Sequence, residues 1–362
     1  MKLQKTVLLG MSGGVDSSVA ALLLQKQGYK VIGAFLKVYS ENKNKLTGEC
    51  SYIDDYKMAQ KIASILKIKL IFLDFEKQYK ESVLNPMFNS YSRNLTPNPD
   101  IACNKIIKFP LLWEEARKLK CDYIATGHYA QIKKTKSGFH LLSGKDITKD
   151  QSYFLAELTQ KDLQNTLFPL GALKKEKVRQ IAKEHKFPNW ERHGTTGICF
   201  VGQVAMHDFL KQRIKEKAGN VLSPNNEVIG THKGSSYYTI GQKIGPHIGI
   251  EVNKPKGTET KRWYVAEKHG NTIIAAPEGH PLLSKKQIAL IKFHLINPKE
   301  KIPPSLKARI RHLGQLHPGK LTKKNNKYHF VFNKPVEAIA EGQYLVLYHK
   351  NRVVGSGEIR IN

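Results

Sequence analysis

Between Lys5 and about Thr126 short apolar runs alternate with stretches whose apolar residues recur at helical spacing: TVLLG, Ser17 to Gln27, VIGAFL, Tyr52 to Leu66, LIFLDF and then YIATG. Strand-like runs alternating with amphipathic helices predict a parallel sheet covered by helices. In the first helix Val19, Leu22 and Leu23 form one buried stripe. A later helical stretch, Lys174 to His185, stops ahead of Pro188. From about Phe209 the helical period gives way to glycine, proline and short β-type runs: NEVIGTH, SSYYTIG, GIEV, RWYVAE and NTIIAA. A join marked by His280-Pro281 leads into QIALIKF, LKARIRH, KYHFVF and QYLVLYH, a second β domain expected to close as a barrel. The pattern therefore predicts an α/β domain over residues 1–208, a small central β domain over 209–279 and a C-terminal β-barrel over 280–362.

Charge adds a class of partner. Lys+Arg number 59 against Asp+Glu 30, a net +29, and a field of that sign gathers polyanions. Residues 280 to 362 hold 16 Lys/Arg and only 4 Asp/Glu, so an electrostatic footprint for nucleic acid is expected there. The four cysteines, Cys50, Cys103, Cys121 and Cys199, include no CxxC pair, which argues against a zinc ribbon or a disulfide scaffold. MKLQKTVLLGMSGG is too short in apolar residues for a signal peptide, and no apolar run reaches bilayer length. A cytoplasmic protein with no membrane partner is expected, in which thiol chemistry serves catalysis.

The sharpest local signal is Ser12-Gly13-Gly14-Val15-Asp16-Ser17, set between a predicted strand and a predicted helix. Glycines let backbone approach an anion, a helix N-terminus offers oriented N–H donors, and Ser12 and Ser17 add hydroxyls. Asp16 is placed to hold a metal ion bridging phosphates. GK[ST] is absent, so this is no Walker A loop. A second constellation, Thr96 to Lys105, sets Asp100 and Cys103 behind two prolines, at a helix start where a nearby Lys105 would favour the thiolate. A third, Thr195 to Gly202, holds Cys199 in a glycine-bounded segment. Each cysteine segment alone reads as a packed thiol; together with a nucleotide loop, two thiols suit sulfur transfer, one carrying a persulfide and the other resolving it. Cys121, ahead of the YIAT strand, reads as a packing thiol.

SGGVDSSVAALLL, NPDIACNKIIKF, DYIATGHY, KDQSYFL, LFPLG, TGICFVG, YTIGQ and WYV occur in that order. On these segments the chain resembles the tRNA-specific 2-thiouridylases of the MnmA family, pyrophosphate-loop (PP-loop) ATPases with an adenine-nucleotide α-hydrolase-like fold. The resemblance implies 2-thiolation of the wobble uridine, position 34, of tRNA through an adenylated base and a cysteine persulfide, giving AMP and pyrophosphate. It implies ATP and magnesium as cofactors, with ATP held by Gly10, Met11, Ser12, Gly13, Gly14, Val15, Asp16, Ser17, Leu36 and Gly127. Cys103 matches the nucleophile, Cys199 the persulfide carrier and Asp100 the acid/base, with a transient Cys103–Cys199 disulfide. Asn98, Pro99 and Asp100 match the segment at the target base; His128, Lys149, Asp150, Gln151, Arg309, Ile310 and Gln343 match tRNA contacts. The implied partners are the tRNA anticodon loop and a persulfide donor, either a cysteine desulfurase or a sulfur-relay protein, acting on a monomer. Three departures stand out: Ile310 where the family usually has Tyr, Leu36 for a common Met, and His193-Gly194-Thr195 ahead of Thr196-Gly197-Ile198-Cys199.

Overall fold

The computed structural model describes residues 4–41, 50–192 and 206–361. Strands β1 (Thr6–Gly10), β2 (Lys30–Lys37), β3 (Lys69–Asp74) and β4 (Tyr123–Ala125) pair in parallel in the order β3-β2-β1-β4. Next in the chain comes a hairpin, β5 (Ala130–Thr135) and β6 (Gly138–Ser143), after which β7 (Thr166–Leu167) joins the parallel sheet beside β4. Helix α1 (Val15–Lys26) links β1 to β2, α2 (Ser51–Leu66) lies between β2 and β3, and α3 (Phe109–Lys118) precedes β4. Helix α4 (Lys175–Glu184) follows β7. The chain moves outward from β1 through β2 to β3, then crosses back to β4 on the other side. That reversal opens a crevice at the carboxyl ends of β1 and β4, where open α/β sheets bind ligands.

The apolar runs make this sheet for the reason their pattern gives: Val7, Leu8 and Leu9 of β1 are wholly buried, because helices cover both faces. Val19, Ala20, Ala21 and Leu22 of α1 pack into a cluster with Val178 and Ala182 of α4.

The central β domain has the strand order β10-β9-β8-β12-β11, built from β8 (Gly219–Leu222), β9 (Val228–His232), β10 (Glu251–Val252), β11 (Trp263–His269) and β12 (Thr272–Pro277). The SSYYTIG run, expected as a strand, is instead a 3-10 turn at Ser235–Tyr237. Gly234 at φ +145° turns the chain there, and the Ser235 hydroxyl donates to Asn94 Oδ1 at 2.9 Å, which fixes it away from the ladder.

The last six strands are β13 (Ser284–Leu295), β14 (Leu306–Arg309), β15 (His317–Lys324), β16 (Lys327–Glu337), β17 (Tyr344–His349) and β18 (Arg352–Arg360). They run in the order β13-β16-β15-β14-β17-β18, and β13 pairs again with β18, so the antiparallel sheet closes as a barrel. Lys292 at φ +50° breaks the register of β13, where its pairing with β18 shifts between Ile291 and His294. Phe330, Phe332, Leu345, Leu347 and Ile359 fill the interior.

The hairpin is an addition that the hydrophobic pattern did not disclose. β6 pairs with β18, Arg352 opposite Leu142 and Val353 opposite Leu141, so an excursion from the N-terminal half extends the barrel's sheet. An ion pair reinforces the seam, with His140 Nε2 2.7 Å from Glu300 Oε1 and the Arg352 guanidinium on the other Glu300 oxygen.

Candidate active site

The phosphate loop is shaped by close backbone contact. Gly13 lies at φ +73°, and a Cβ there would sit 2.2 Å from the Asp55 carbonyl oxygen on α2, so only glycine fits. Gly14 caps α1, and its carbonyl accepts from the Ser17 and Ser18 hydroxyls, each at 3.0 Å. The Ser12 N–H donates to Ser17 Oγ at 3.3 Å, and the Met11 N–H to the Ala34 carbonyl at 2.8 Å. A Cβ at Gly127 would come within 3.1 Å of the Asp16 and Ser17 backbone, so the end of β4 presses against the start of α1. Leu36 is buried at the end of β2, beside Gly10. The predicted nucleotide residues Gly10 to Ser17, Leu36 and Gly127 thus gather at the crevice.

Asp16 stands in the first turn of α1 and is not alone. Its Oδ1 accepts from the Tyr129 hydroxyl at 2.7 Å and from the Lys175 ammonium at 2.5 Å. Burial and then the Asp16 charge push the Tyr129 hydroxyl far above its ordinary range, so it serves here as a neutral donor. The Asn189 amide, itself buried, donates to the Gly13 carbonyl at 2.9 Å and to Ser18 Oγ at 3.0 Å, holding the loop from behind. Tyr129, Lys175 and Asn189 were missed in the sequence: they lie 113 to 176 residues from their partners, and no local spelling marks them.

The second constellation forms as its residues suggest. Asn98 caps a short helix, Pro99–Ala102, by accepting from the Ile101 N–H at 3.0 Å, and Pro99 opens that helix. Asp100 is half-buried and Cys103 is wholly buried. The helix continues as a π segment, Cys103–Lys108, and then as α3, which packs through Leu112 against β1. A helix that precedes a parallel strand runs antiparallel to it, so the start of this run, with Asp100 and Cys103, lies toward the carboxyl edge of the sheet and the phosphate loop. The Lys105 ammonium pairs with the buried Glu157 carboxylate at 2.6 Å. Cys199, its disulfide with Cys103 and the His193-Gly194-Thr195 departure fall outside the described residues. Cys121 is buried and its thiol is pushed up by that burial and by Asp122.

The residues matched to tRNA contacts divide by exposure. Lys149 is exposed. Asp150 is wholly buried: Oδ1 accepts from the Gly144 and Ser152 N–H groups and Oδ2 takes Arg309 at 2.6 Å. Gln151 accepts from the Tyr129 N–H at 2.9 Å, and Ile310 lies in the barrel core. His128 is buried, stacked on Phe109 at 6.0 Å and hydrogen-bonded to Thr126 at 2.7 Å; burial and then the nearby Lys108 keep it neutral. Gln343 accepts from the Asn98 amide and donates to the Pro97 carbonyl, both at 3.1 Å.

Among the described residues no group of three or more His, Cys, Asp or Glu could hold a metal, and no helix is long and apolar enough to cross a membrane.

Comparison with known proteins agrees with this architecture. Residues 5–203 match the family model described as tRNA methyl transferase HUP domain, 207–275 the tRNA methyl transferase PRC-barrel domain and 285–359 the aminomethyltransferase beta-barrel domain. A protein of Aliarcobacter butzleri named tRNA-specific 2-thiouridylase MnmA 2 is 39% identical over 365 residues, covering 99% of both chains. The Pseudomonas fluorescens tRNA-specific 2-thiouridylase MnmA is 38% identical over 362 residues, covering 99% of this chain and 94% of its own. In Geobacillus kaustophilus, tRNA-specific 2-thiouridylase MnmA 1 is 38% identical over 98% of this chain and 95% of its own. Similarity of that extent, running through all three matched regions and the phosphate loop alike, makes the chain a member of the MnmA family of tRNA-specific 2-thiouridylases.

Proposed function

We propose that the chain is an ATP-dependent tRNA sulfurtransferase that converts uridine at the wobble position to 2-thiouridine. What supports this reading is the crevice: a phosphate loop without a Walker lysine lies at the carboxyl edge of the sheet, and the run that bears Asp100 and Cys103 and leads antiparallel into β4 starts toward that same edge. The matched domain models speak of methyl transfer and the relatives of 2-thiolation. A loop built for phosphates has no part in methyl transfer, and together with a thiol toward the same sheet edge it suits adenylation followed by sulfur delivery.

Uracil O2 is a poor leaving group as it stands. Adenylation bonds O2 to the α-phosphorus while pyrophosphate leaves with the electron pair and the N3 proton is lost to solvent. The persulfide sulfur on Cys199 then bonds to C2 and AMP departs. The Cys103 thiolate attacks the Cys199 sulfur; the S–S bond breaks toward the base, which keeps its sulfur as the thione. The Cys103–Cys199 disulfide that remains takes two electrons from an external thiol reductant. Asp100, as the acid, returns a proton to N3 so that the base ends as the thione. Presenting an unpaired loop base to the crevice costs only a few kcal/mol, ~2–4.

Asp16 is the residue to hold magnesium. A single carboxylate fits an ion that arrives with most of its oxygen ligands supplied by phosphates and water, and the ion would neutralise phosphate charge there. Asn98, Pro99 and Asp100 face the base, and Lys149 meets tRNA phosphate, while Asp150, Gln151, Arg309, Ile310, His128 and Gln343 support those segments from within. The sulfur donor is a persulfide-bearing protein, and the chain acts as a cytoplasmic monomer. The test is product analysis: labelled ATP with tRNA should yield AMP and pyrophosphate, and the tRNA should gain 2-thiouridine by nucleoside mass spectrometry. ADP and phosphate as main products would sink the reading.

A further inference from the structure

A phosphate loop of the GK[ST] kind carries its own lysine for the phosphates. SGGVDS has none, so a lysine that meets the phosphates beside the ion has to come from elsewhere in the chain. Lys175 is 159 residues from Asp16 in sequence, yet its ammonium lies 2.5 Å from Asp16 Oδ1, at the N-terminus of α1 where a phosphate would bind. It is held there from several directions. Its backbone N–H donates to Asp146 Oδ2 at 2.9 Å, and its ammonium lies 5.8 Å from the Tyr129 ring centroid. Its side chain is only 14% exposed, against 32% for Asp16, so the carboxylate is the more open of the pair. Such a lysine gives up little conformational freedom on meeting a ligand.

We propose that Lys175 is a cation of the phosphate site: it pairs with Asp16 and passes to the β- and γ-phosphates when ATP binds. This rests on the adenylation reading above. As O2 of the base bonds to the α-phosphorus, the bond to the bridging oxygen breaks and its electron pair leaves on pyrophosphate. The Lys175 ammonium donates to the oxygens on which charge accumulates.

The test uses the full chain. Lys175→Gln removes the charge but keeps an N–H donor toward Asp16, and Lys175→Arg restores the charge. ATP and AMP affinities are measured by titration with and without magnesium, alongside Tm and tRNA-dependent AMP formation. For Lys175→Gln, affinity for ATP should fall about tenfold or more, because charge-assisted contacts to phosphate are lost. Its AMP affinity should stay within about twofold, its AMP formation should fall about a hundredfold, and Lys175→Arg should regain most of both. A Lys175→Gln chain that binds and cleaves ATP like the wild type overturns the proposal. So does one in which ATP and AMP affinities fall together with Tm, since that makes Lys175 a strut between α1 and α4. A wild-type chain that releases no AMP would instead refute adenylation, and the ATP-to-AMP affinity ratio would still decide the role of Lys175.

Discussion

Cys103 and Cys121 are both buried, and their settings separate them. Cys103 opens the π segment that continues the Asn98-capped helix, a run whose start points toward the carboxyl edge of the sheet because it leads antiparallel into β4. Cys121 sits on the other side of α3, just ahead of β4 and away from that edge, and its thiol is held in the protonated form by burial. Cys50 caps the N-terminus of α2. Cys103→Ser should therefore lower thiolation by at least about a thousandfold, about 4 kcal/mol of barrier, because a hydroxyl cannot take up the sulfur chemistry. Cys121→Ser and Cys50→Ser should retain activity. With a cysteine desulfurase and cysteine, mass spectrometry should find the extra sulfur on Cys199 in the Cys103→Ser variant; a persulfide on Cys121 would overturn the assignment of the two thiols.

Elements far apart in sequence hold the loop that bears Asp100. The Thr96 N–H donates to the Glu341 carbonyl at 2.8 Å, Gln343 bonds both Asn98 and the Pro97 carbonyl, and Gly342 at φ +88° leaves a Cβ only 3.1 Å from Leu95 and Thr96. The turn before β17 is thus a clamp on the loop that bears Asp100. Gln343→Ala should lower the thiolation kcat about tenfold while tRNA affinity stays within about twofold, at a stability cost of about 1 kcal/mol. A weakened tRNA Kd with unchanged kcat would mark Gln343 as a direct tRNA contact. This clamp also shows where legibility ends. SGGVDS and NPDIAC were readable because glycine turns, caps and prolines act over a few residues, and the parallel strands because their apolar runs need no distant partner. The hairpin Ala130–Ser143 was not, since its strands owe their place to β18, more than two hundred residues later. Lys175 lay within a helix that was predicted, but nothing in its own turn pointed to Asp16.

At the scale of the molecule the fold spreads positive charge across the junction between the catalytic half and the barrel. The Arg309–Asp150 pair, at 2.6 Å and almost wholly withdrawn from solvent, ties the end of β14 to the segment that carries Lys149. Its geometry leaves Lys145, Lys149 and Arg311 exposed on the two segments it joins. Lysines 307, 320 and 324 extend the exposed charge over the barrel. A buried ion pair of this kind contributes more to fixing the two segments than to stability, because desolvation offsets most of its attraction. The exposed cations, by contrast, remain available to phosphates. Each phosphate they neutralise should add a slope of about −0.7 to −0.9 to the logarithm of tRNA affinity against the logarithm of salt. Lys149→Ala with Arg311→Ala should make that slope shallower by about 1.4 to 1.8 and weaken tRNA binding, with ATP affinity unchanged. Fluorescence titrations of tRNA at several salt concentrations measure both quantities. An unaltered slope would place the tRNA body elsewhere on the surface, whereas a loss of ATP affinity as well would mean that the two segments carry the crevice and not only its substrate.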